Sequence, residues 1–128
     1  MFRKLTFILL ALGLLLTACA PTAPAAGAIK LTDGLGREVS LAAPAQRVVS
    51  LAPSNTEILF AIGAGTQMVG RDEFSDYPPE AASIEKVGGS MGEYSAEAIV
   101  ALKPDLVLAA EINTPELVKQ LEDLGLTV

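Results

Sequence analysis

Arg47 to Gly65, RVVSLAPSNTEILFAIGAG, is the stretch whose reading decides the fold. Val48, Val49 and Leu51 make a buried strand, a polar turn follows, and a helix begins after it. Ser54 is placed to act as N-cap, with Glu57 three residues on to close a capping box. Pro53 stands before that cap, where a missing N–H costs nothing. Ile58, Leu59 and Ile62 are expected to share one buried helix face, and Gly63 or Gly65 to end the helix in a left-handed conformation. A strand opening at its carboxyl end into a helix N-terminus is where α/β proteins hold ligands. With the capping box using the free N–H groups, the turn reads as the wall of a cleft rather than as an anion site.

Working outward towards the N-terminus, residues 1–18 read as an address. Arg3 and Lys4 are followed by an apolar run from Leu5 to Leu16, too short to span a bilayer comfortably. Leu16-Thr17-Ala18-Cys19 resembles the lipobox of bacterial lipoprotein signal peptides, which implies cleavage before Cys19 and its lipidation. Such a lipid anchor holds a protein to a membrane surface. Cys19 is the single cysteine, so an internal disulfide framework is excluded. Residues 19–28 form a Pro/Ala-rich tether with too little bulk to pack. The address and tether together imply a protein lipid-anchored at the cell membrane on its extracytoplasmic side. From Cys19 on there are seven basic and fifteen acidic residues, a charge of −8 that disfavours nucleic acid as a partner.

Residues 29–128 alternate strands and helices. Ile29 to Leu41 reads as a hairpin about Asp33-Gly34-Leu35-Gly36. Gln67 to Arg71 reads as a second strand of the main sheet, and Pro78-Pro79 opens a short helical segment at Glu80–Ser83. Lys86-Val87 is a further short strand, and Gly88 to Gly92 a flexible glycine-rich loop. Ser95 caps a helix from Ala96 to Leu102, stopped by Pro104. Asp105 to Ala110 is a buried strand, and Thr114 with Pro115 starts a last helix that Gly125 ends. Leu126-Thr127-Val128 looks like the opening of another strand, so the expectation is a piece of a longer protein. The fold class expected is α/β: a parallel sheet with flanking helices, preceded by a β-hairpin.

The strings DGLGREVSL, RVVSLAPSNTEILFAIGAG, VGRDEFSDYPPEA, KVGG and EAIVALKPDLVLA, in this order, resemble the periplasmic binding proteins of ABC importers for iron–siderophores, haem and vitamin B12. SDYPP followed by IVALKPDLV is most similar to the vitamin B12-binding members. The resemblance implies two Rossmann-like lobes joined by a long helix, with ligand in the cleft between them and this chain supplying part of the N-terminal lobe. It implies as partners a permease with its ATPase, as ligand cobalamin, haem or a ferric siderophore, and a monomeric protein without a resident cofactor or metal.

Strand carboxyl ends single out Pro53, Ser54 and Asn55, the Arg71–Tyr77 and Gly88–Tyr94 loops, and Glu111-Ile112-Asn113. Phe74 matches a position where the B12-binding members carry an aromatic that packs on the corrin; its flat ring equally suits a loop plug. Those members also place a tryptophan where Ser90-Met91 stands, and this chain has none, which counts against cobalamin itself. Arg71 has two readings: pairing with an anionic ligand, or bridging Asp72, Glu73 or Asp76. Met91 and Tyr94 are candidates to line the cleft, whereas Tyr77 reads as a packing residue. Glu97 matches the glutamate with which the family engages arginines of its permease, although a carboxylate in a first helical turn is favoured in any case.

An enzyme is disfavoured, since the chain has no histidine and no cysteine beyond Cys19 for a triad or a zinc shell. The rival reading is a surface lipoprotein with a structural or sensory role.

Overall fold

The computed structural model describes residues 28–90 and 93–128. Lipidation at Cys19, the signal peptide, Met91 and the tether apart from Ala28 lie outside the described residues. Strands β1 (Ile29–Thr32) and β2 (Glu38–Leu41) pair antiparallel, with Ile29 opposite Leu41. Their turn is built on Asp33, whose carboxylate accepts from the Leu35 and Arg37 N–H groups and from Arg37 Nε. Those donors, the Arg37 N–H first, hold the Asp33 carboxyl below its ordinary pKa. Gly36, at φ +78°, supplies the left-handed residue that closes the turn.

The main sheet is parallel, with β3 (Val48–Ser50) between β4 (Met68–Arg71) and β7 (Leu106–Leu108). Alternation along β3 divides the core into two layers. Val49 and Leu51 point to one face, with Val87, Ile99, Val107 and Leu121. Val48 points to the other, with Leu59 and Met68. Helix α1 (Pro53–Ala61) supplies Leu59 to the second layer, while α2 (Ala96–Ala101) and α3 (Pro115–Asp123) supply Ile99 and Leu121 to the first. Helices therefore cover both faces, as a parallel sheet requires.

Several local expectations hold. Ser95 and Thr114 are N-caps whose side chains accept from the Ala98 and Leu117 N–H groups. Gly63 and Gly125 end α1 and α3 at positive φ. After each glycine the next N–H reaches back five residues, Ala64 to Leu59 and Leu126 to Leu121, which is the Schellman pattern.

Five expectations are corrected. Helix α1 starts at Pro53 with Ala52 as N-cap and no side-chain cap, so Ser54 and Glu57 do not form a capping box. The helix begins two residues earlier than expected, which puts Ser54 inside the first turn rather than at the cap. The buried side of α1 is Thr56 and Leu59, leaving Ile58 and Ile62 exposed at 58% and 71%. The glycine-rich stretch is not only a loop: β5 (Gly88–Ser90) pairs antiparallel with β6 (Glu93–Tyr94). Lys86 makes only an isolated parallel bridge to Arg71. Leu126–Val128 is not a strand, although Thr127 accepts a hydrogen bond from the Val107 N–H at 2.8 Å, on the outer edge of β7.

Among the described residues no helix is long and apolar enough to cross a membrane.

Candidate functional site

The carboxyl ends of β4, β3 and β7 lie side by side, and each runs into a polar segment. Beneath those segments the backbone of Leu51 is the common fixture. Its carbonyl accepts from the Tyr94 hydroxyl at 2.8 Å and from Asn113 Nδ2 at 3.2 Å. Asn113 Oδ1 in turn accepts from the Ala110 N–H at 2.7 Å, holding the turn after β7 closed. Asn55, in the first turn of α1, donates to the carbonyls of Leu108 and Ala109 at 3.2 and 3.3 Å. Asparagine suits this place because one amide group can hold both the Leu108 carbonyl, which also accepts the Leu51 N–H, and the Ala109 carbonyl just beyond β7.

A second polar knot roots the loop after β4. The Asp72 N–H continues the ladder by donating to the Ser50 carbonyl at 2.9 Å. The Asp72 carboxylate is buried and accepts from the Phe74 N–H at 2.8 Å and from the Ser75 hydroxyl. Thr56 lies 2.9 Å from Ser50 Oγ and 2.8 Å from Ser75 Oγ, tying the loop to β3 and α1. Burying four polar side chains is tolerable only because they partner one another.

Above this floor stand the groups able to meet a ligand. Phe74 is 61% exposed at the top of its loop, and Ile112, after β7, is 77% exposed. Ser54 is exposed, with Pro53 and Asn55 half-buried beside it. Tyr94 is half-buried; burial first, and the charge of Asp72, push its phenol above the ordinary pKa, against the side chain of Asn113. Arg71 is only 3% exposed, and its guanidinium donates to the carbonyls of Asp72, Glu73 and Ala82. It makes no ion pair with Asp72, Glu73 or Asp76, and it is too enclosed to present its charge at the surface. Tyr77, expected to pack, is 64% exposed. Glu97 is exposed in the first turn of α2, on a different element from the loops that carry Phe74 and Ile112.

Sequence reasoning placed Asn113 and Ser75 in ligand-facing loops without seeing their bonds, and missed Ser50 and Thr56 altogether. Small hydroxyl residues carry no periodic signal. Their roles depend on which segments the fold brings together. Among the described residues no group of three or more Asp, Glu, His or Cys is placed to hold a metal ion.

Comparison with known proteins gives this floor and rim a context. The family model described as periplasmic binding protein matches residues 48–122. The ABC transporter substrate-binding lipoprotein YvrC of Bacillus subtilis is 39% identical over 103 residues, 78% of this chain and 32% of its own length. A vitamin B12-binding protein of Vibrio cholerae is 43% identical over 86 residues, 66% of this chain and 31% of its own. The crystal structure of the periplasmic vitamin B12 binding protein BtuF of Vibrio cholerae superposes with TM-score 0.61 at 44% identity, covering 66% of this chain and 33% of that one. That of the heme binding protein HmuT superposes with TM-score 0.69 at 27% identity, covering 84% and 35%. The chain thus spans about a third of the length of the relatives it matches. Matched from β3 to the end of α3, more than half its length, and folded as they are, the chain belongs to the periplasmic binding protein family.

Proposed function

We propose that this chain is the N-terminal wall of the ligand cleft in a substrate-binding lipoprotein of an ABC importer. The ligand class is a tetrapyrrole, corrinoid or haem, with ferric siderophores as the second reading. The observation that carries this is Phe74: an aromatic ring left 61% exposed on a loop whose backbone is held at Asp72, Glu73, Phe74 and Asp76. A flat apolar ring on a held loop offers a ready face for a planar ligand. Ile112 offers a second apolar contact at the same end of the sheet, and Pro53, Ser54 and Asn55 frame the space. The relatives named as vitamin B12- and heme-binding support the ligand class.

On this reading residues 1–18 are removed, Cys19 carries the lipid, and residues 19–28 tether the lobe outside the cytoplasmic membrane. The opposite wall comes from a second lobe. The relatives are named as binding proteins, and on this reading the chain is part of a carrier that delivers its ligand to a permease with its ATPase.

Titrating the full-length gene product with cyanocobalamin, haemin and a ferric siderophore identifies the ligand by which absorbance or fluorescence change saturates. Phe74→Ala weakens the favoured ligand about tenfold or more, roughly the 1.5 kcal/mol of a partly buried aromatic contact. Unchanged affinity removes Phe74 from the site.

Glu97 is proposed as the permease contact. Its carboxylate is exposed on a different element from Phe74 and Ile112, so Glu97→Arg lowers uptake by about tenfold while the ligand Kd stays within about twofold. Normal uptake by that variant in cells lacking the native copy would show that docking runs through other residues.

A further inference from the structure

Arg71 is a buried cation with no acidic partner among the described residues, and its environment says what it does instead. One terminal nitrogen donates to the carbonyls of Asp72 and Glu73 at 3.0 and 3.3 Å; the other reaches the Ala82 carbonyl at 3.4 Å. Its Nε has no partner. The three carbonyls belong to two segments, the start of the Phe74 loop and the 3₁₀ turn Pro79–Ser83. Keeping a charge from water without a counter-ion is costly, and a neutral apolar side chain of similar length would fill the same space more cheaply. What the guanidinium adds is a planar fork that fixes several acceptors in one geometry.

The next residue grips the same loop from the other side. The Asp72 side chain holds the Phe74 N–H and the Ser75 hydroxyl, and through Ser75 and Thr56 the loop is moored to Ser50 of β3. The two carbonyls before Phe74 and its own N–H are therefore all spoken for, while its ring stays exposed.

We propose that Arg71 is the positioning residue for Phe74, holding the ring where the flat apolar face of a ligand meets it without further ordering of the loop. This rests on the reading that Phe74 contacts ligand. Pre-organisation of this kind raises affinity by removing the entropy cost of fixing the loop on binding.

The test is a double-mutant cycle in the full-length gene product, titrated with cyanocobalamin and with haemin. Arg71→Met is expected to weaken binding about tenfold when Phe74 is present, and less than about twofold in the Phe74→Ala background. Arg71→Lys, which can hold one carbonyl at a time, recovers part of the loss. In parallel, hydrogen exchange of the Phe74 and Ser75 amides speeds up at least about tenfold in Arg71→Met, while the β3 amides keep their protection. Equal losses in both backgrounds, no loss at all, or unchanged exchange at Phe74 overturns the positioning role. If Phe74→Ala alone leaves affinity unaltered, the ligand contact itself is wrong and the proposal falls with it. Should Arg71→Met fail to fold, Arg71→Lys carries the same cycle.

Discussion

Leu51→Ala is expected to lower the unfolding free energy by about 2–5 kcal/mol, a large part of the 5–15 kcal/mol that holds a domain of this size together. Leu51 is fully buried among Val49, Val87, Ile99, Val107 and Leu121, where the sheet meets α2 and α3. Truncation removes its packing and leaves a cavity bounded by a strand and two helices, which cannot all move in to fill it. The backbone keeps its bonds: the Leu51 N–H still donates to the Leu108 carbonyl, at 2.9 Å in the native chain. Its carbonyl, however, is the shared acceptor of Tyr94 and Asn113. Any shift of β3 into the cavity therefore reaches the floor of the site, and ligand affinity falls along with stability. Urea melts check the first effect, with Leu31→Ala as the control. Leu31 is 57% exposed on β1, and its loss stays within about 0.5 kcal/mol. A Leu51→Ala loss under about 1 kcal/mol would mean that the core closes around the smaller side chain.

Gly88→Ala is the second large effect, and its cause is backbone geometry. Gly88 has φ +103°, where L-residues rarely go, and the strain alone costs about 1–3 kcal/mol. A Cβ there would also stand 2.6 Å from the Glu93 carbonyl oxygen and 3.1 Å from Tyr94 Cα. Both are backbone atoms of the paired strand, so neither can swing aside as a side-chain tip would. Relief requires β5 and β6 to part. The Gly88 carbonyl also accepts the Glu73 N–H at 2.8 Å, so the disturbance passes to the Phe74 loop. Gly36→Ala separates strain from collision. Gly36 has φ +78° and nothing within 4 Å of the point an alanine methyl would occupy, so it loses only about 1–2 kcal/mol. Thermal melts of the two variants should differ clearly; equal shifts would show that strain alone decides the cost at Gly88.

The reading of individual elements succeeded where the signal is local. Asp33-Gly34-Leu35-Gly36 makes its turn from its own side chain and its own glycine. Thr114-Pro115 and Ser95 start helices because a hydroxyl one residue ahead of a helix caps it wherever it lies. Where two local rules competed, the outcome was less legible. At 52–57 both a Ser–Glu capping box and a proline at the first helical position fit the residues, and the structure takes the proline.

What the sequence determined by itself is the α/β class and the order of the main-sheet strands and helices, because periodicity, caps and turn residues act over a few neighbours; its motif strings added the resemblance to the family. Tertiary structure alone decided which face of α1 is buried: Ser54 to Glu57 are polar and Ile58 to Ile62 all apolar, so no stripe marks a face, and only the position of the sheet selects Leu59 over Ile58 and Ile62. It also decided the part played by Arg71. An arginine beside three acids reads as half of an ion pair, yet the fold encloses it and turns its guanidinium to the carbonyls of Asp72, Glu73 and Ala82. Burial and long-range hydrogen bonding depend on what the rest of the chain places nearby, and no spacing within the stretch itself records that.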